Sequence, residues 1–214
     1  MFQVFVDPTI QRLIDATPGF MPRAEGTYLF DLAISCPGSS DHPLVEVGTY
    51  CGKSTLYLAS AAKIRASTVI SIDHHNGSEE NYPPFPYFDQ RLTHPTSHDL
   101  DTLKNFRETV RLSNLSDYII AVVGDSNQYV KYFPKDTASF VFIDGGHSAV
   151  QTWTDFIDWS PKLIHGGVLA IHDVFEDPSQ GGRPPFEIVN ALRHSKTFKE
   201  LVQVGSLAAF KRET

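Results

Sequence analysis

The sequence predicts a single α/β domain in which a doubly wound, mostly parallel sheet carries helices on both faces. Three observations support this. Short apolar runs suited to buried strands alternate with stretches of helical period from Leu44 onward; the first run passes through a glycine turn into a helix; and each of the next four runs ends in a turn bearing an acid or a histidine. In a doubly wound sheet such turns gather at the carboxyl ends of the strands, where ligands sit.

Two helices precede the sheet. Asp7 to Ala16 reads as a short capped helix with Pro8 at its first position and Ile10, Leu13 and Ile14 on one face, ended by Thr17-Pro-Gly19. A second helix covers Ala24 to Ser35, and the loop Cys36-Pro-Gly-Ser-Ser40 leads onward, so that residues 1–43 form an N-terminal helical cap.

The first strand is Leu44 to Val47. Gly48 opens a tight turn, Gly52 allows a close backbone approach, and Lys53 to Ala62 reads as a helix, so free N–H groups and a positive helix end aim at one point. Gly48 to Gly52 encloses one residue too few for a phosphate-cradling P-loop, and Tyr50 stands where a dinucleotide's pyrophosphate would approach the backbone. Glu46 would repel phosphate and accept a hydrogen bond from a cationic ligand. S-adenosylmethionine, with an ammonium, a sulfonium and no phosphate, suits that chemistry; the alternative is an ordinary strand-to-helix turn without a ligand.

Thr68 to Ile72 is the second strand. Asp73 ends it, about twenty residues past the turn, where a ribose-binding acid belongs; an N-cap is its competing role. Residues 74–99 then lose periodicity. Tyr82, Phe85, Tyr87 and Phe88 stand among prolines with His74, His75, His94 and His98, which suggests a lid-like loop or partner-contacting arm, against surface decoration. A helix from Asp101 to Ser113 leads to the third strand, Tyr118 to Val123, and to Gly124-Asp125-Ser126. The fourth, Ser139 to Ile143, ends in Asp144-Gly-Gly-His147. After a helix from Ala149 to Trp159 and a turn at Gly166-Gly167, the fifth strand, Val168 to Ile171, ends in His172-Asp173. Asp144, His172 and Asp173 would therefore converge, and convergent carboxylates repel unless a cation or proton offsets them. The loop after Asp173 carries Glu176, Asp177 and Arg183, the last a candidate contact for an anionic acceptor. A final helix runs from Pro184 or Pro185 to about His194, before Phe198 to Val204 and Leu207 to Lys211 form an antiparallel hairpin.

Glu46-Val-Gly-Thr-Tyr-Cys-Gly-Lys-Ser54 resembles the first motif of the class I S-adenosylmethionine-dependent methyltransferases, in the version found in catechol O-methyltransferase and its bacterial small-molecule relatives; Ile143-Asp-Gly-Gly-His147 is similar to the end of their fourth strand. The resemblance runs from about Leu44 to the C-terminus, with 74–99 as an insertion. It implies a Rossmann-like seven-stranded sheet with an antiparallel C-terminal hairpin, and methyl transfer from S-adenosylmethionine to a small-molecule hydroxyl acceptor. The cofactor would be held by Glu46, Gly48, Tyr50, Gly52, Ser54, Asp73 and Asp144, with Asp125 and Ser126 at the adenine unless they only cap a helix. The catechol enzymes hold a divalent metal with an Asp after the fourth strand and an Asp-Asn pair after the fifth, which maps onto Asp144 and His172-Asp173. Oxygen ligands suit Mg²⁺, whereas an imidazole shifts preference toward Mn²⁺, Fe²⁺ or Zn²⁺. His147 stands where those enzymes carry a proton-accepting lysine, which makes it the candidate general base beside Asp144, in competition with a turn histidine bonding its own backbone. In the family, N-terminal helices cover the cofactor or build a homodimer contact; here they could equally pack against the sheet edge.

Composition sets the remaining bounds. The 214 residues, 41% of them hydrophobic, suffice for one α/β core, and a net charge of −7 with scattered basic residues argues against a nucleic-acid partner. Cys36 and Cys51 form no disulfide framework and read as reduced thiols. The N-terminus has neither a signal peptide's basic start nor a long apolar run, so the expectation is a cytoplasmic protein with no membrane span. Two other classes stay open: a nucleotide-dependent oxidoreductase, disfavoured by Tyr50, and a module that holds S-adenosylmethionine or S-adenosylhomocysteine without turnover.

Overall fold

The structure is a computed structural model that describes residues 5–83, 87–94, 96–97, 99–146, 148–177, 179–181 and 183–214. Its centre is a seven-stranded sheet of β1 (Leu44–Val47), β2 (Val69–Asp73), β3 (Ile119–Val123), β4 (Ala138–Ile143), β5 (Leu163–Ile171), β6 (Phe198–Glu200) and β7 (Ala208–Arg212), in the order β3-β2-β1-β4-β5-β7-β6. Neighbours among β1 to β5 pair in parallel, and β7 and β6 close the edge antiparallel. This is the predicted Rossmann-like sheet with its C-terminal hairpin.

Helices cover both faces because the central strands are apolar on both sides. Leu44, Phe140, Phe142 and Ala170 face a core shared with α1 (Pro8–Ala16), α2 (Arg23–Ser35) and α3 (Lys53–Arg65). With α4 (Leu103–Ser113) and α5 (Ser126–Tyr129) intervening in the chain, Val45, Val47, Val141, Ile143 and Ile171 face the core of α6 (Ala149–Trp159) and α7 (Arg183–Arg193), where Trp159, Ile188 and Val189 are buried. The N-terminal cap begins as predicted, with Asp7 accepting from the Thr9 and Ile10 N–H groups at 2.7 and 3.3 Å. Although α2 also touches β5, the cap's two helices pack chiefly on α3. Gly26 makes this approach feasible, since a Cβ there would lie 2.1 Å from the Tyr57 ring.

One expected boundary moves. Gly166-Gly167, read as a turn before the fifth strand, lies inside β5, where Gly166 has φ +77° and the pairing with β4 shifts register between Ala138 and Phe140. The glycines make a bulge rather than an end.

Backbone bonds just past the strand ends bring the four turns level. Gly48 N donates to Ile72 O at 2.9 Å, Gly124 N to Asp73 O at 2.9 Å, Asp144 N to Val47 O at 2.8 Å and His172 N to Ile143 O at 3.1 Å. No helix among the described residues is long and apolar enough to cross a membrane.

Candidate active site

The turn after β1 is held from below by one carboxylate. Asp73 Oδ2 accepts from the N–H groups of both Thr49 and Tyr50 at 2.8 Å, while Oδ1 accepts from His75 N at 2.7 Å. Tyr50 has φ +48°, a left-handed conformation costing roughly 1–2 kcal/mol for an L-residue, so the Asp73 bonds offset strain as well as orient the turn. Gly48, at φ +86°, passes so close to β4 that a Cβ would lie 2.2 Å from Asp144 O. The turn opens into a cavity whose walls also include Pro18 to Met21, before α2, and Gly77, Ser78, Glu80 and Asn81 of the segment after β2.

The described residues of segment 74–99 are anchored to that turn. Leu92 and Leu100 pack on Cys51, and the Tyr82 hydroxyl donates to Asn76 O at 2.9 Å and accepts from Leu100 N at 3.3 Å. Burial raises the Cys51 thiol to about 12, with Asp73 and Asp89 adding to it, and both cysteines are free thiols. Tyr87 meets Phe20 edge-on at 5.1 Å, and Phe20 meets Tyr50 at 5.6 Å, so aromatic rings link the segment before α2, the glycine turn and the segment after β2. Phe85 and His98 lie outside the described residues.

At the ends of β4 and β5, ligand atoms of Asp144, His172 and Asp173 all lie within 4.8 Å of one another. His172 Nδ1 is 3.0 Å from Asp144 Oδ1 and 3.4 Å from Asp173 Oδ1, and its Nε2 is 2.6 Å from Glu25 Oε2. Burial alone would hold the imidazole's pKa down; Asp144, then Asp173 and Glu25, outweigh it and raise it well above the usual histidine value. Two carboxylates and an imidazole form a mixed oxygen–nitrogen donor set that fits a divalent cation. A second cavity of about 620 Å³ adjoins the first; Phe20, Glu80, Asn81, His172 and Asp173 line both.

A family model described as a methyltransferase domain matches residues 45–174, more than half of the chain. The chain belongs to this methyltransferase family. Solved structures share the fold at low identity. A methyltransferase from Geobacter sulfurreducens is 18% identical, covering 97% of this chain and 89% of its own at a TM-score of 0.63. The O-methyltransferase TomG from Streptomyces achromogenes, in complex with SAM, is 13% identical over 97% of this chain and 91% of its own, at 0.65. An O-methyltransferase from Bacillus cereus, in complex with SAH, is 18% identical over 96% and 91%, at 0.62.

In this methyltransferase Gly48, Tyr50, Ser54, Asp73, Ser126, Asp144, His172 and Asp173 all line the first cavity. Three expected cofactor contacts stand elsewhere. Glu46, read as meeting a cationic ligand directly, is fully buried: it alternates with Val45 and Val47, faces α3, and accepts from Thr55 Oγ1 at 2.7 Å and Ser71 Oγ at 2.8 Å. Burial raises its carboxyl to about 7 against the pull of the Ser54, Thr55 and Ser71 hydroxyls. Gly52 caps α3 at φ +90°, beneath Phe106. Asp125 is exposed and accepts from Gln128 Nε2 at 2.9 Å. His147 lies outside the described residues. Arg183 lines neither cavity; it donates to Glu176 O at 2.8 Å and stacks over Phe186.

Two residues of the site escaped the sequence reading. Glu25 reaches it from α2, and Asp155, buried on α6, accepts from the Ser126 hydroxyl; burial raises the Asp155 carboxyl to about 6. Each had a faint signal, an acid in helical register with buried apolar residues: Glu25 with Leu29, and Asp155 with Trp159.

Proposed function

We propose that this methyltransferase transfers the methyl group of S-adenosylmethionine to a hydroxyl of a small aromatic molecule, with a divalent metal at Asp144, His172 and Asp173. The supporting observation is the wall shared by the two cavities. The first offers the phosphate-excluding turn at Gly48 to Tyr50, Asp73 for the ribose and Ser126 for the adenine; the second offers Phe20, Tyr87 and Phe175 as an aromatic lining; and both open onto His172 and Asp173. Bound at that wall, Mg²⁺, Mn²⁺, Fe²⁺ or Zn²⁺ would acidify an acceptor hydroxyl.

The chain's own groups do the rest. Asp144 and Asp173 supply negative charge that retains the cation. His147, by its position in the sequence, is the base that takes the acceptor proton. The aromatic rings exclude water and align the acceptor, and alignment supplies much of the rate in a displacement at carbon.

Calorimetric titration of the protein with S-adenosylmethionine, NAD and ATP, followed by methyl-transfer assays on phenols and sugars with and without EDTA, tests the proposal. The expected outcome is binding of S-adenosylmethionine alone, and EDTA-sensitive methylation of a phenol. A protein that ignores S-adenosylmethionine and binds a pyrophosphate cofactor would overturn it.

A further inference from the structure

Glu25 comes from α2, 147 positions before His172, yet its Oε2 lies 2.6 Å from His172 Nε2. It is only 5% exposed. A carboxylate so far from water is costly unless its oxygens are satisfied, and these are: Oε1 accepts from Ser206 N at 2.9 Å and Oε2 from Ser206 Oγ at 3.1 Å. The loop before β7 is shaped around it, since a Cβ on Gly205 would lie 2.0 Å from Glu25 Oε1.

A neutral imidazole carries one N–H and one lone pair, on different nitrogens. In the structure both His172 nitrogens face carboxylates, Nε2 facing Glu25 and Nδ1 facing Asp144 at 3.0 Å and Asp173 at 3.4 Å; a cation at the aspartates would displace the proton from Nδ1, and Glu25, by keeping the proton on Nε2, would leave Nδ1 its lone pair. We infer that Glu25 is the positioning residue of the metal site: it fixes the His172 tautomer that offers Nδ1 beside the two aspartates, and so biases the site toward Mn²⁺, Fe²⁺ or Zn²⁺ over Mg²⁺. This rests on the metal reading given under Proposed function. Without Glu25 the proton can sit on Nδ1 and block the nitrogen that the ion needs. Outer partners of this kind change metal affinity about 10–100-fold.

The test is titration of Mn²⁺ and Mg²⁺ into S-adenosylhomocysteine-saturated protein by calorimetry, using wild type, Glu25→Gln, His172→Asn and the double variant. Wild type is expected to bind Mn²⁺ at least tenfold more tightly than Mg²⁺ (about 1.4 kcal/mol). Glu25→Gln is expected to weaken Mn²⁺ by about 10–100-fold while S-adenosylhomocysteine affinity stays within about twofold. In the His172→Asn background the same substitution should change Mn²⁺ affinity by less than about twofold, because the nitrogen that Glu25 orients is gone. An equal loss in both backgrounds, or none in either, overturns the inference while leaving the metal reading intact. Wild type that binds neither ion removes the metal reading and the inference together. Should Glu25→Gln fail to fold, ¹⁵N spectra of the Zn²⁺-loaded wild type decide: a protonated Nε2 with a metal-shifted Nδ1 supports the inference, and the reverse assignment overturns it.

Discussion

The two sides of the site are held in different ways. On the β1–β2 side the backbone does the work, as successive N–H groups of the turn converge on Asp73. On the β4–β5 side, side chains meet across long stretches of sequence: Asp144 and His172 are 28 positions apart, and Glu25 and His172 are 147. The first arrangement fixes the path of the turn, beside which the proposed ribose and adenine contacts stand, and tolerates little change in chain path. The second sets charge, and tolerates changes of chemistry as long as the ring of acids keeps a cation or proton at its centre. A substitution should therefore act mainly on stability and cofactor affinity on one side, and mainly on metal affinity and turnover on the other.

Gly48→Ala should break the comparison most severely, because Gly48 belongs to both sides. Its φ of +86° disfavours any side chain, and a Cβ would meet the Asp144 backbone at 2.2 Å, an obstacle that cannot rotate away. Strain and displacement together should cost about 3–5 kcal/mol, lowering the melting temperature by roughly 10 °C or more. Calorimetric melting measures this. A variant within about 2 °C of wild type would mean that the β1 and β4 ends separate easily and that the shared wall is not rigid.

Asp73→Asn sharpens the comparison by altering the backbone side alone. An amide keeps one acceptor oxygen, so either the Thr49–Tyr50 pair or His75 would face an NH₂ group. The expected loss is about 2–3 kcal/mol of stability, with S-adenosylhomocysteine binding at least tenfold weaker and Mn²⁺ affinity nearly unchanged. Loss of Mn²⁺ affinity to the same degree would mean that the two sides are one cooperative unit.

The same division explains what could be read in the sequence. The strands and the turn at Gly48 follow from apolar runs, glycines and spacing, all local signals, and the structure bears them out. Asp144, His172 and Asp173 could be placed together because the doubly wound sheet fixes which strand ends adjoin. Glu25 could not, since nothing local says which side chain a helix outside the sheet will present to the end of β5. Glu46 shows the opposite failure: its place in the motif suggested a ligand contact, whereas the period of two along β1 turns it under α3. Gly166-Gly167 misled in a third way, because a bulge and a turn need the same residue.

Glu46→Gln should have the smallest effect and a distinctive sign. The carboxyl has an ordinary value of 4.5 and a folded value of about 7, so between these limits the native state holds a proton that the unfolded chain has lost. Stability from this group is thus fully present below about pH 4.5 and falls as pH rises through about 7, with a limiting slope of about 1.4 kcal/mol per pH unit. Glutamine cannot ionise, so the variant should lose this slope. At pH 8 it should be more stable than wild type by about 1 kcal/mol, the relief from a buried charge exceeding the weakened bonds to Thr55 and Ser71. Denaturant unfolding at pH 5 and pH 8 measures both. If Glu46 instead touched a cationic ligand through Oε1, the substitution would weaken S-adenosylmethionine binding at least tenfold; because Oε2 is held by Thr55 and Ser71 and the whole side chain is buried under α3, affinity should stay within about twofold.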